Sequence, residues 1–211
     1  MRTLYIDTSS SFLYTGIIND NKIEAEIKEE YGHKLSEMAL PEIVSMFEKN
    51  KLQAKDVDKI IVVDGPGSFT GIRIGITIAK VYAWSLKTPI TTITSLEAMA
   101  ISSTADTYKV PMLDARRKYV FAAIYDKDNN VVLAPTYLKL EELDEKLKEL
   151  DNFTVITNDK INEYENKEAY SPNLLKIVNT FKDKENINPH AVNPHYLKLT
   201  EAEESKIWYM K

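Results

Sequence analysis

The sequence predicts an α/β protein made of two related halves, and three observations lead to this prediction. Short apolar strand patterns follow one another at the start of the chain and then alternate with amphipathic helix patterns. The opening hairpin pattern returns without a gap about 107 residues later. Four of the six glycines are concentrated in one strand–turn–helix segment, DGPGSFTGIRIG, and none follows residue 75.

The first half is predicted element by element from the period of its apolar residues. Residues 3–18 predict two strands joined by a polar turn, and the alternating segment NKIEAEIKEE predicts a third strand with one face in water. Amphipathic spacing predicts a helix over residues 33–49, followed by a buried strand at Lys59–Val63. A long helix over residues 68–86 and a short strand over residues 88–94 follow in sequence.

The second half repeats this order. Residues 110–128 align on the start of the chain, with Asp114 on Asp7 at the end of a buried-type strand. A third strand and a charged amphipathic helix follow, as they do in the first half. The repeat predicts a first subdomain over residues 1–104 and a shorter second one over residues 105–211.

Two βββαβα halves, each beginning with a hairpin that turns at an aspartate, are typical of the actin/hexokinase/HSP70-like (ASKHA, ribonuclease H-like) architecture. In that fold the hairpin turns grip phosphate, and glycine allows the close approach. Here the turns read TSSS and ARRK. Asp7, Ser9, Asp114 and Arg116 are therefore predicted to be only vestigial nucleotide-facing residues, and the two aspartates can equally well cap their turns. The glycine segment is no Walker A loop either, because no Lys-Ser/Thr follows Gly71.

Composition excludes several function classes. The net charge is −5 and neither half is basic, which argues against a self-sufficient RNA-binding protein. The cluster Arg116-Arg117-Lys118 is the exception, and the sequence leaves open whether it contacts nucleic acid. The chain has no cysteine, which excludes disulfides and thiolate sites. We expect a cytoplasmic protein without a membrane segment or signal peptide.

The helix after the glycine turn is predicted to be apolar on two opposite sides. Ile72 and Ile76 lie on one side, and Ile74 and Ile78 on the other. A row of small residues at every fourth position, starting at Gly71, would let another helix approach closely. One side is expected to pack on the sheet of the chain itself. The other side needs either a second helix of the chain or a partner protein, and the residues leave both open.

Four motifs resemble one known family. They are LYIDTSS at the start, GPGSFTGIRIG in the glycine segment, DARRKYVFAAIY in the second hairpin and VNPHYLKLTEAE in the tail. They occur in this order across nearly the whole chain, and the second is highly specific. Together they resemble the TsaB family, the bacterial accessory proteins of tRNA threonylcarbamoyladenosine biosynthesis.

The resemblance implies a non-catalytic subunit. TsaB proteins bind and activate TsaD, a paralogous catalytic subunit, through the two helices of the N-terminal half, and the P-loop ATPase TsaE joins the pair. The assembly transfers a threonylcarbamoyl group to adenosine 37 of tRNAs that read ANN codons. The resemblance implies no cofactor of the chain's own, leaves open a nucleotide at the partner interface, and brings in tRNA only through the complex. Free chains can form homodimers through the same surface.

The resemblance also assigns residues. The predicted partner-binding residues are Leu35, Ala39, Ile43, Met46, Gly71, Ile74, Gly75, Ile78 and Tyr82. TsaD-like sequences bind a metal through H-x-x-x-H after the corresponding helix and strand, and Ser95 and Met99 stand at those two positions here. Hydroxyl and thioether groups are poor substitutes for imidazole. We therefore expect neither a metal nor catalysis by the chain itself.

Two alternatives remain open from the sequence. One is an independent ATPase or small-molecule kinase of the same fold, which Asp7 and Asp114 favour and the missing glycines oppose. The other is a glycoprotease-like hydrolase, which would lack both the metal histidines and a Gly-x-Ser-x-Gly nucleophile turn.

Overall fold

A computed structural model describes residues 1–161 and 164–198 of the 211-residue chain. These residues form two five-stranded mixed sheets with helices packed against them. The predicted α/β class and the two-subdomain ASKHA-like architecture are confirmed. The tail motif is described only as far as Lys198, and its last residues lie outside the described part.

The first sheet contains the opening meander and two parallel strands. Its elements are β1 (Arg2–Asp7), β2 (Phe12–Asn19), β3 (Lys22–Glu30), α1 (Leu35–Lys49), β4 (Lys59–Val63), α2 (Phe69–Leu86), β5 (Ile90–Ile93) and α3 (Ser95–Ser102). The strand order is β3-β2-β1-β4-β5, with β1–β2–β3 antiparallel and β1–β4–β5 parallel. Every element predicted for this half is present, to within two or three residues at its ends.

The second sheet has the same order of strands. Its elements are β6 (Tyr108–Asp114), β7 (Tyr119–Tyr125), β8 (Val131–Lys139), α4 (Leu140–Leu147), β9 (Phe153–Ile156), β10 (Lys167–Glu168) and α5 (Leu174–Phe181). The order β10-β9-β6-β7-β8 mirrors the first sheet strand for strand. The described residues between β9 and β10 contain no helix, so this half has no counterpart of α2 in the described chain.

One helix from each half packs on the sheet of the other half. α3 follows the first sheet in sequence but packs on β6 and β7 of the second, whereas α5 packs on β1, β2 and β3 of the first. The two helices also contact each other. Residues 174–181 therefore complete the core of the first sheet, with Leu174 and Ile177 packed against Tyr5 and Ile18. The subdomain boundary at residues 104 and 105 stays a prediction.

α2 is the central helix of the first half. The Ser68 side chain caps its start by accepting a hydrogen bond from the Gly71 backbone N–H at 3.2 Å, and Lys87 ends it in a left-handed conformation. One side of α2 packs on β1, β4 and β5, and α1 packs beside it. None of the helices in the described part of the chain has both the length and the apolar character needed to span a bilayer.

Candidate functional site

A cleft of about 790 Å³ lies where the two sheets meet. Its walls come from the turn after β1, the loop before α2, the end of β6 and the residues after β9. Sheets of this type bind ligands beyond the carboxyl ends of their parallel strands, so this is the candidate ligand cleft. Asp7, Ser9 and Asp114 line it, whereas Arg116 is exposed on the neighbouring turn and is not part of the wall. That any of them faces a nucleotide stays a prediction.

An aspartate closes both hairpin turns in the same way. The Oδ1 atom of Asp7 accepts a hydrogen bond from the backbone N–H of Ser9 at 2.8 Å. The Oδ1 atom of Asp114 accepts one from the backbone N–H of Arg116, also at 2.8 Å. The two aspartates that align in the sequence repeat therefore make the same hydrogen bond in the structure. Capping, the alternative role considered for the aspartates, is what both of them do.

The two aspartates differ in their surroundings. Asp7 is buried, and burial raises the pKa of its carboxyl group against the lowering effect of its hydrogen bonds with Ser9. The Tyr5 hydroxyl donates to its Oδ2 atom at 3.4 Å. Asp114 is exposed, and its backbone N–H donates to the Oδ2 atom of Asp159 at 2.7 Å. Only the first turn therefore buries a carboxyl group.

The charge of the cleft is negative. Four carboxyl side chains line it, those of Asp7, Glu30, Asp114 and Asp159. Among the described residues of its wall there is no lysine or arginine. A phosphate group here would meet like charges without a lysine or arginine partner from the described wall residues.

The glycines of the opening segment pack against the turn after β1. A Cβ atom on Gly67 would lie 2.2 Å from the Ser9 carbonyl oxygen, and one on Gly71 would lie 2.0 Å from the Thr8 carbonyl oxygen. A Cβ atom on Gly75 would lie 2.4 Å from the Thr8 Oγ1 atom. The prediction that Gly71 and Gly75 face a partner is therefore wrong, because this row of small residues admits the chain's own hairpin turn.

Other residues predicted to bind a partner also belong to the core of the chain. Leu35, Ala39, Ile43 and Met46 are each at most 4% exposed. They are the inward face of α1, which packs on α2 and the first sheet. These four side chains are buried between α1, α2 and the first sheet. Their burial excludes direct contact with a partner. Ile74, Ile78 and Tyr82 are half-buried, and their partner contact stays a prediction.

The exposed apolar residues of these helices lie elsewhere. The outer helix face, as we name it, consists of Leu40 and Val44 on α1 and Val81 and Trp84 on α2, all of which are exposed. Trp84 is 64% exposed, which is unusual for so large an apolar side chain. The sequence noted Leu40 and Val44 further round the helix, but burial alone shows which side of each helix is free.

The two positions that correspond to metal histidines are built into the packing. The Ser95 hydroxyl donates to the Pro66 carbonyl at 2.6 Å, and its backbone N–H donates to the Gly65 carbonyl at 2.9 Å. Met99 is buried between α3 and the second sheet. The described residues contain no group of three or more His, Cys, Asp or Glu side chains that could hold a metal ion.

Sequence reasoning overlooked Asp64, which follows β4. Its Oδ1 atom is buried without a hydrogen-bond partner, and burial raises the pKa of its carboxyl group to about 6. The positive charge of His195 and Lys184 lowers this pKa, and Glu97 raises it. The tail returns to this place, since the His195 backbone N–H donates to the Asp64 carbonyl at 2.8 Å. No local pattern marks this aspartate, because the residues that bury it are distant in sequence.

The tail also covers one edge of α2. Arg73 lies 3.8 Å above the Phe69 ring and donates from Nε to the Tyr196 hydroxyl at 2.7 Å. The rings of Phe69 and Tyr196 stack with centroids 4.8 Å apart. Lys80 donates to the Val192 carbonyl at 2.8 Å. The side of α2 that faces away from the sheet is thus partly covered by the chain's own tail. The outer helix face stays exposed.

Known proteins resemble the chain over most of its length. The family model described as "TsaD: tRNA N6-adenosine threonylcarbamoyltransferase" matches residues 21–180. The tRNA threonylcarbamoyladenosine biosynthesis protein TsaB of Bacillus subtilis is 32% identical over 96% of this chain and 96% of its own length. The protein of the same name from Escherichia coli is 29% identical over 71% of this chain and 68% of its own length.

Solved structures agree on the fold. YeaZ from Pseudomonas aeruginosa superposes with a TM-score of 0.73 at 18% identity and covers 93% of this chain and 99% of its own. A protein described as similar to peptidase YEAZ from Pseudomonas aeruginosa superposes with a TM-score of 0.80, at the same identity and coverage. The match over almost the full length of the Bacillus relative, at 32% identity, shows the family. The chain belongs to the TsaB family.

Proposed function

We propose that the chain is a non-catalytic subunit of tRNA threonylcarbamoyladenosine biosynthesis that binds and activates a TsaD-type catalytic subunit. In this proposal the ATPase TsaE joins the pair in the cytoplasm. The assembly transfers a threonylcarbamoyl group to adenosine 37 of tRNAs that read ANN codons. The names of the family model and of the relatives support a place in this pathway.

The observation that carries the partner proposal is the outer helix face. Leu40, Val44, Val81 and Trp84 leave apolar surface on two helices that pack side by side. A patch of this kind marks a protein interaction site more often than it marks bare surface. The half-buried Ile74 and Ile78 extend it. Free chains are expected to form homodimers through the same face.

The cleft supports a non-catalytic role. Four carboxyl groups and no lysine or arginine among its described wall residues oppose unaided binding of a nucleotide phosphate. Ser95 and Met99 line the cleft, but a hydroxyl and a thioether group are poor substitutes for the imidazole ligands of a metal site. We therefore propose that any nucleotide of the assembly is held with the help of a partner.

Replacing Val81 by glutamate is expected to weaken the complex with a TsaD-type subunit about 100-fold or more, because the interface would bury an unpaired charge. Val81 is 59% exposed, so the isolated variant should fold normally. The measurement is the dissociation constant by calorimetry, with size-exclusion chromatography of the mixture. Leu40→Glu is expected to act in the same way from the neighbouring helix.

Val131→Glu is the matched control, since Val131 is also 59% exposed but lies on β8 of the other half. It should leave the complex intact. Equal binding by Val81→Glu, Leu40→Glu and the unaltered chain would show that the outer helix face is not the interface.

The chain alone is expected to release no phosphate from ATP above the buffer background, because the described wall of the cleft has no lysine or arginine that could stabilise the transferred group. Phosphate release by the purified chain is measured beside the Asp7→Ala variant. Turnover by the unaltered chain that Asp7→Ala abolishes would favour the ATPase alternative over the proposed role.

A further inference from the structure

The turn between β6 and β7 is unusual in both charge and backbone. Arg116, Arg117 and Lys118 have φ values of 66°, 54° and 64°, so three successive non-glycine residues are left-handed. Each such residue costs roughly 1–2 kcal/mol. The equivalent turn of the first half, residues 9–11, contains no positive φ. The second turn therefore has a geometry of its own, and all three of its side chains are exposed.

The cations of this turn have no acidic partner among the described residues. Within the described chain, no ion pair links a carboxylate to Arg116, Arg117 or Lys118. The Asp114 carboxylate binds the backbone N–H of Arg116, and the turn is closed by backbone bonds to Tyr119. The backbone thus holds three adjacent positive charges in water on a protein whose net charge is −5.

Aromatic rings adjoin the turn. Tyr119 and Tyr137 stack with their centroids 4.8 Å apart and their planes 13° apart, and Phe121 lies 5.5 Å from Tyr137. These rings lie on the side of β7 and β8 opposite the core that contains Val120 and Leu138. The row ends at Tyr119, whose second ring face has no aromatic or cationic partner among the described residues.

Two lysines add to the charge beside the rings. Lys139 is exposed and stands opposite Tyr119 in the β7–β8 pairing. The Nζ atom of Lys198 lies 5.4 Å from the centre of the Tyr137 ring. Carboxyl groups also adjoin the turn: Asp114 precedes it, and the exposed Glu141 follows Leu140, whose backbone N–H donates to the Lys118 carbonyl at 2.9 Å. Cations and stacked rings therefore share one surface, which we call the basic–aromatic face: Arg116, Arg117, Lys118, Tyr119, Tyr137 and Lys139.

We propose that the basic–aromatic face binds an unpaired stretch of RNA, with phosphates against Arg116–Lys118 and one base stacked on Tyr119 at the end of the row of rings. Proteins read unpaired RNA by stacking bases on aromatic residues of a sheet beside basic residues that bind the backbone. An acidic peptide would use the cations but would leave the row of rings without a function. The inference deepens the proposed function and rests on it, since it gives this subunit its own contact with the RNA substrate.

The test measures the affinity of the full chain, free and in complex with a TsaD-type subunit, for a fluorescent RNA hairpin with an unpaired loop. Tyr119→Ala is expected to weaken binding about tenfold or more, the usual loss for one stacked base. Tyr119→Phe should keep the affinity of the unaltered chain, since the ring is retained. A fully paired RNA duplex should bind more weakly than the hairpin.

Removing charge gives a second readout. The double variant Arg117→Gln/Lys118→Gln is expected to reduce the slope of log affinity against log salt by about 1.4, the value for two lost phosphate contacts on a single strand. The matched control Lys127→Gln/Lys146→Gln removes the same charge from exposed positions outside this face and should leave the slope unchanged.

Two outcomes would overturn the proposal: unchanged hairpin affinity in Tyr119→Ala and in the double variant, or equal loss in the control. An equal effect of an acidic peptide and the hairpin as competitors would assign the face to a protein partner instead. Complex formation is measured separately with the same variants. RNA binding that fails while the complex forms refutes only this inference, whereas failure of Val81→Glu to disrupt the complex refutes only the proposed interface.

Discussion

Gly71→Ala is expected to lower the free energy of unfolding by about 3 kcal/mol or more. The added methyl group would lie 2.0 Å from the Thr8 carbonyl oxygen. That oxygen is part of the backbone at the end of β1, so it cannot move without displacing the turn. A gain of about 1 kcal/mol from the better helix propensity of alanine cannot offset this overlap. The measurement is chemical denaturation followed by circular dichroism.

Gly75→Ala is the graded comparison. Its methyl group would meet the Thr8 Oγ1 atom at 2.4 Å, the end of a side chain whose hydroxyl donates to the Gly71 carbonyl at 2.7 Å. A side chain yields more easily than a carbonyl group, so the loss should be smaller. Ser85→Ala, on the exposed side of α2, should change stability by less than about 0.5 kcal/mol. Equal stability of Gly71→Ala and Ser85→Ala would contradict the packing described for this glycine.

Asp64→Asn is expected to stabilise the protein at pH 8 by up to about 3 kcal/mol and to change its stability little at pH 4. Burial raises the pKa of Asp64 in the folded chain to about 6, from an ordinary value of 3.8. Because the pKa of Asp64 is higher in the folded than in the unfolded chain, its contribution to the free energy of unfolding is fully present below the unfolded pKa. That contribution is lost as the pH rises through the folded pKa. The asparagine variant carries no charge and avoids this loss.

The measurement is urea denaturation of both chains at several pH values between 4 and 8. The difference in unfolding free energy should grow up to about pH 6 and then level off. Asp151→Asn, at an exposed aspartate, is the matched control and should show no such growth. Because the charge of His195 lowers the pKa of Asp64, His195→Gln is measured alone and together with Asp64→Asn. A difference that does not vary with pH would show that Asp64 is not buried as described.

The two halves differ in the surfaces that they expose. Only the first half has both α1 and α2, and their outer helix face is exposed. The second sheet is covered by its own short helix α4 and by α3 of the first half, and the described residues between β9 and β10 contain no helix. The second half instead presents the exposed turn at Arg116–Lys118. The two halves thus present different surfaces, the outer helix face in the first half and the basic–aromatic face in the second.

Much of the fold could be predicted because the deciding information is local. The apolar run at Lys59–Val63, the spacing of α2 and the aspartate turns at Asp7 and Asp114 depend on residues a few positions apart. The elements that sequence reasoning missed are short. β9 has four residues and β10 has two, too few for a period to be recognised.

The sequence by itself determined the succession of elements in the first half, the return of the hairpin with its aspartate turn in the second half, and the family resemblance. Only the tertiary structure decided which side of each apolar helix is covered. Gly71 meets a turn 63 residues earlier in the chain, and α5 crosses from the second half to pack on the first sheet. Burial of Ile43 and exposure of Val81 follow from such distant contacts. The local spacing of apolar residues shows that a helix face must be buried, but only the tertiary structure shows which residues pack against it.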